Sequence, residues 1–270
     1  MAENAGIWVY AVAGAARWDD LTGLAEQPVH SVKAAGLAAA VSTVSLDEFG
    51  EEALRAHLED LAWLEATARM HHQVIEKVAA GGPAVPLRLA TVYSSADKVA
   101  ALLAERHEDF EVALDRVAGR TEWGVKAHAA SLDTGRIEPG ADSAPGERGT
   151  GAPDARPGAA YLRKRRQELS AVEDAQRTAV SSAEEVHASL TRTAVEAQVR
   201  PAQDPQLSGQ EGPTILNATY LVDDDRCDEF VAVVRQLSDR SIGIRLELTG
   251  PWPPYSFAAV PGQEPQGEHD

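Results

Sequence analysis

The hydrophobic rhythm of the chain alternates between stretches that repeat every two residues and stretches that repeat every three to four. Ile7, Trp8, Val9, Tyr10 and Val12 make residues 6–13 a strand of aromatic and β-branched side chains. Leu37 to Val44 is apolar on both faces, as a central strand of a sheet would be. Asp47 is placed to cap a helix start, with Glu51 and Glu52 near its positive end. Leu54, Leu58, Leu61, Leu64, Ala68, His71, Ile75 and Val78 then form one helical stripe. The spacing predicts a single helix over about 51–80, ended by Gly81-Gly82-Pro83. Leu87, Leu89, Thr91 and Tyr93 alternate as a strand. Ser94 or Ser95 caps a helix through Leu102 and Leu103, and a break near His107 leads to another through Leu114 and Val117, closed by Gly119.

A second unit begins with a strand from Trp123 to His128. Residues 131–158 are rich in Gly, Pro, Ser, Asp and Ala without periodicity, so a mobile loop is expected there. A long helix follows over about 158–199. Leu162, Leu169, Val172, Ala179, Ala183, Val186, Leu190 and Ala194 keep near-heptad spacing, a narrow seam for one partner helix or sheet face. After a linker-like stretch to Pro213, Thr214–Val222 reads as a strand, Asp223-Asp224-Asp225 as a turn and cap, and 226–238 as a helix buried through Phe230, Val233, Val234 and Leu237. A last strand at 242–248 ends where Pro251, Pro253 and Pro254 remove backbone donors. The fold class is therefore α+β in two domains. Residues 1–120 form an N-terminal α+β domain. Residues 121–260 form a C-terminal domain approximating a split βαβ, ferredoxin-like arrangement with a long helix. The polar, acidic residues 261–270 read as a disordered tail.

Composition narrows the partners. The net charge of −17 opposes nucleic acid and anionic membranes. A lone cysteine, Cys227, excludes an intrachain disulfide and thiolate zinc sites, and suits a reducing cytoplasm. The longest apolar run, Ala34 to Val41, falls far below the ~20 residues of a membrane span. Ala5–Ala16 imitates a signal-peptide core, but Glu3 and the absence of a basic start favour a buried first strand.

Candidate chemistry is thin. His71 lies on the apolar stripe between Ala68 and Ile75 and reads as a satisfied core histidine rather than a catalyst. His72 and Glu76, four apart, read as an ion pair rather than a metal pair. The Asp223–Asp225 run lacks the calcium-loop spacing. No nucleophile elbow, phosphate loop or dinucleotide fingerprint is present. Arg88, between apolar residues, is expected to pair with a helix carboxylate such as Glu76. Arg163, Lys164, Arg165 and Arg166 form a dense basic cluster that needs acidic partners, in this chain or in another subunit. The segment Gly250-Pro251-Trp252-Pro253-Pro254-Tyr255-Ser256-Phe257 pins three rings on a stiff backbone. Its rings either seal the C-terminal core or remain partly exposed for a partner, and both can hold together.

That segment, following a strand that ends Leu248-Thr249, resembles the C-terminal signature of the gas vesicle GvpF/GvpL family. Ile7-Trp8-Val9-Tyr10 looks like the family's opening strand. His71, Val74, Ile75 and Glu76, with Pro86, Leu87, Arg88 and Thr91, look like its helix–turn–strand segment. Glu122-Trp123-Gly124-Val125-Lys126 is similar to its middle strand, and Tyr161-Leu162 with Arg163 to Arg166 to its long-helix entry. One departure is visible: many members carry Phe-Gly where this chain has Leu89-Ala90.

The resemblance implies an accessory protein for gas vesicle assembly, cytoplasmic and vesicle-associated, without catalytic activity or cofactor. It also implies a modified ferredoxin-like C-terminal domain. The implied partners are the hydrophobic shell protein GvpA and other accessory Gvp proteins. A sheet edge also permits a homodimer. The rival expectations are a permanent minor component of the vesicle wall and a small enzyme on a ferredoxin-like scaffold. The candidate protein contacts are Trp8, Tyr10, Arg88, Tyr93, Arg163, Arg165, Arg166, Trp252, Tyr255 and Phe257. The N-terminal domain is expected to supply the main shell contact.

Overall fold

A computed structural model describes residues 4–14, 18, 20–57, 59–130, 157–201 and 212–260. The expected loop at 131–158, apart from the first helical residues at its end, and the tail at 261–270 lie outside the described residues.

The first sheet is built from β1 (Ala5–Gly14), β2 (His30–Ala34), β3 (Leu37–Ser45), β4 (Ala84–Pro86) and β5 (Val92–Tyr93). Its order is β2-β3-β1-β4, with β5 also beside β1. β1 and β3 are central because both are apolar on both faces. Along β1, Ile7 and Val9 enter one core while Trp8 and Tyr10 enter the other. A bulge between Val9 and Ala11 resets the alternation, so Ala11 joins Tyr10 and Val12 joins Val9. One face packs on α1 (Leu46–Phe49), α2 (Glu51–His57) and α3 (Leu61–Ala79). The other packs on α4 (Ala96–Glu105) and α5 (His107–Val117).

Local sequence accounts for most boundaries. Ser45, rather than the expected Asp47, caps α1, its hydroxyl accepting from the Asp47 amide at 3.2 Å. The stripe expected as one helix over 51–80 is two helices, because the Asp60 carboxylate accepts from the amides of Ala62 and Trp63 and restarts the chain there. Ser95 caps α4 through the Lys98 amide, and Arg106 stands at the break before α5. Of the strand expected over Leu87–Tyr93 only Val92–Tyr93 forms, as β5. β4 and β5 flank a turn in which Ala90 adopts φ 66°. The short β2 carried no strong alternation and was not expected.

The second sheet contains β6 (Arg120–Ala129), β7 (Glu196–Val199), β8 (Thr214–Asp223) and β9 (Ile244–Trp252), all antiparallel in the order β7-β8-β6-β9. With α6 (Pro157–Thr191) after β6 and α7 (Cys227–Arg240) after β8, this is the split βαβ order of a ferredoxin-like sheet. β7 completes it; the long helix ends at Thr191 instead of near 199 and frees that strand. Both helices cover one face, around Trp123, Val125, Tyr220, Phe230 and Leu190. The acidic run after β8 makes a turn of 3-10 helix whose side chains do not cap α7. Instead Asp223 accepts from Arg120 and Asp224 from Thr121, tying the turn to β6. β9 runs through Pro251 to Trp252, past the expected stop at Leu248. It is an edge strand, where a missing amide costs no ladder bond on the solvent side.

Candidate functional site

After β9 the chain crosses the face of the second sheet that α6 and α7 leave open, and this strap, residues 253–260, is the junction of the molecule. Phe257, Ala258 and Val260 enter the core formed by Val9, Val12, Leu103 and Phe110 of the first half, together with Leu221 of β8. The expectation that the rings seal the C-terminal core is therefore corrected for Phe257. It fills the core of the first sheet, because the strap faces away from α6 and α7.

Ser256 fixes the strap in register. Its amide donates to Glu122 Oε2 on β6 at 2.7 Å, and its hydroxyl donates to Glu122 Oε1. Arg200 donates to that hydroxyl, and Gln198 Nε2 on β7 donates to the Ser256 carbonyl at 3.1 Å. Burial pushes the Glu122 carboxyl above its ordinary value, while the Ser256 hydrogen bonds and Arg200 pull it down. Arg116 on α5 adds a two-pronged pair with Glu196 on β7. Glu122, Ser256, Gln198 and Arg200 were missed from the sequence, since nothing local shows that a carboxylate in a strand meets a serine 134 residues later.

Two adjacent histidines of α3 hold the other side. His71 Nδ1 accepts from the Trp8 indole at 2.9 Å, and its Nε2 lies 3.0 Å from the Leu87 carbonyl. An indole only donates and a carbonyl only accepts, so the ring is neutral with its proton on Nε2. Burial lowers its pKa to about 4. His71 is thus the satisfied core histidine expected. Tyr10 is equally internal: its hydroxyl takes the Leu24 amide at 2.9 Å and reaches Ser42 at 3.2 Å, which in turn donates to the Pro28 carbonyl. His72 points outward to the strap. Its Nδ1 lies 2.7 Å from the Tyr255 hydroxyl, and its ring lies tilted against Trp252 and Tyr255 with centroids 5.2 and 5.8 Å away. Burial, and next the carboxylates of Glu76 and Glu122, keep the Tyr255 phenol protonated by raising its pKa. Glu76 comes within 3.3 Å of His72 Nε2, the proximity that the four-residue spacing predicts, but the two make no hydrogen bond and His72 Nε2 is buried.

The candidate contacts thus separate into two groups. Trp8, Tyr10 and Phe257 are fully enclosed and have no surface to offer a partner; they are corrected to core residues. Tyr93 is half-buried on β5 opposite Ile7. Arg88 is exposed rather than paired with Glu76, because its strand breaks into the turn at Ala90 and turns it outward. Trp252 and Tyr255 are each 39 % exposed, and Arg163, Arg165 and Arg166 are exposed on α6. His71 binds Leu87 and His72 binds Tyr255, so the Arg88 turn and the two strap rings flank one turn of α3. Among the described residues, no group of three or more His, Cys, Asp or Glu side chains could hold a metal ion. No helix among them is long and apolar enough to cross a membrane.

The family model for gas vesicle synthesis protein GvpL/GvpF matches residues 6–259, from the first residues of β1 to the end of the strap. The chain belongs to the GvpL/GvpF family. It is 38 % identical over 238 residues to gas vesicle protein L of Streptomyces sp. (strain CB03234), covering 88 % of this chain and 86 % of that one. It is 31 % identical over 233 residues to gas vesicle protein F of the same strain, covering 86 % and 88 %. Two crystal structures share its fold. That of GvpF from Microcystis aeruginosa superposes with a TM-score of 0.62 at 16 % identity, over 94 % of this chain and 99 % of that one. That of GvpF from Anabaena sp. PCC7120 gives 0.64 at 17 %, over 95 % and 97 %. Membership of the GvpL/GvpF family brings a role in gas vesicle formation.

Proposed function

We propose that this protein is a non-catalytic assembly factor that binds the hydrophobic shell protein GvpA, alongside other accessory Gvp proteins, while vesicles form. The main shell contact is assigned to the first half, residues 1–120, at the turn of α3 beside Arg88, with Trp252 and Tyr255 of the C-terminal half completing its rim. The observation that carries this reading is the pair of half-exposed rings, Trp252 at the end of β9 and Tyr255 on the strap anchored to both sheets. Rings held this way offer large apolar contact area at little entropy cost. The acidic remainder of the molecule keeps a carrier of apolar cargo soluble. A cytoplasmic site of action and transient binding follow from the same reading.

The test is co-purification of the full chain with tagged GvpA, repeated with Trp252→Ala and with Arg88→Glu. Capture by the unaltered chain, reduced on the order of tenfold by Trp252→Ala with unchanged folding, is the expected result. Capture of accessory proteins alone would withdraw the shell contact. Stoichiometric retention on urea-washed vesicles would replace the transient carrier with a wall component.

A further inference from the structure

The helix α6 is longer than the sheet that holds it. Its 35 residues extend about 52 Å. Ala179, Ala183, Val186 and Leu190 seat it on the second core. From residue 163 to 178 the described side chains are exposed, apart from the half-buried Val172 and Ala175. About 24 Å of helix therefore projects beyond the fold. The apolar seam does not stop where the sheet does; it continues outward through Val172 to Leu169, which is 52 % exposed. A projecting helix of this length has little stability of its own in water, so an apolar stripe along it is a surface for packing.

The charge beside that stripe identifies what it packs against. Arg165 and Arg166 precede Leu169 by four and three residues, the spacings that share one helix face. With Arg163 and Lys164 they make a run of four consecutive cations, followed along the projecting stretch by Glu168, Glu173 and Asp174, in a chain of net charge −17. The four cations stand six to nine residues inside α6, beyond the first turn where the helix dipole acts, so the dipole does not account for them. We propose that the projecting end of α6 is a docking surface for an acidic amphipathic helix of a partner protein. Leu169 and Val172 receive the partner's apolar stripe, and Arg163, Arg165 and Arg166 receive its carboxylates. This surface is separate from the shell contact on α3.

The test uses the full chain and a labelled 21-residue peptide with leucine on one helical face and glutamate flanking it. A scrambled peptide of the same composition and a lysine-for-glutamate peptide serve as controls. Fluorescence anisotropy is expected to show binding of the acidic helix alone, weakened by salt. Arg165→Glu with Arg166→Glu is expected to weaken it at least tenfold, and Leu169→Ser severalfold. Thermal unfolding should not change, because these side chains stand outside both cores. Equal binding of the scrambled peptide, or undiminished binding to the variants, would overturn the proposal. So would no binding, or preferential binding of anionic vesicles or duplex DNA. Sedimentation of a dimer that Leu169→Ser dissociates would assign the face to a second copy instead.

Discussion

Ala90 holds a backbone φ of 66°, in the region that a Cβ disfavours, in the turn between β4 and β5. A non-glycine residue there costs roughly 1–2 kcal/mol, partly offset because glycine frees the unfolded chain. Ala90→Gly is therefore expected to stabilise the protein by about 0.5–1 kcal/mol, read as a higher midpoint in urea. His71 offers a pH signature. Its folded-state pKa of about 4 lies below the unfolded value of 6.5, so as pH falls the unfolded chain takes up the proton first. Stability is full above about pH 6.5 and declines by up to ~3 kcal/mol on descending to pH 4. His71→Gln should remove that slope from the difference between the two proteins. Glu122, whose pKa is raised, contributes the opposite sign on both sides of that comparison. An unchanged slope in His71→Gln would refute the assignment of the neutral ring.

At the scale of elements, the strap decides how the halves meet. Phe257 is fully buried among residues of β1, β4 and α4, although it lies near the end of the chain. Phe257→Ala is expected to destabilise the whole protein by about 3–5 kcal/mol, measured by equilibrium unfolding followed at the buried Trp8. Glu122→Gln keeps an acceptor for Ser256 and removes a buried charge, so it should change stability by less than ~1 kcal/mol. Glu122→Ala leaves the Ser256 amide unpaired and should cost about 1–3 kcal/mol.

For the whole molecule, the strap makes the first half incomplete by itself. Residues 1–120 without it expose Val9, Val12, Leu103 and Phe110 where Phe257 and Val260 otherwise lie. That fragment should bind a hydrophobic dye and lack a cooperative thermal transition, whereas the intact chain should show neither defect. A fragment with a sharp transition and no dye binding would show that the strap is an ornament to a self-sufficient core.

Much of this was legible in one dimension because it rests on local rules. β1 and β3 follow from continuous apolar runs, β6 and β8 from short segments of strand-forming residues, α4 from Ser95, and α7 from the stripe through Phe230 and Val234. The proximity of His72 to Glu76 follows from helical spacing. What stayed hidden depends on distant residues. The short edge strand β7 has too few positions to show a period. The split between α2 and α3 turns on one carboxylate that fits either a helix or its cap. Above all, the amphipathic pattern marks Phe257 as buried and Ser256 as polar without naming their partners. Sequence alone determined most of the elements and the family, since both are written in local order. The tertiary structure alone decided that the C-terminal strap completes the first core, because burial fixes partners only when separated segments meet.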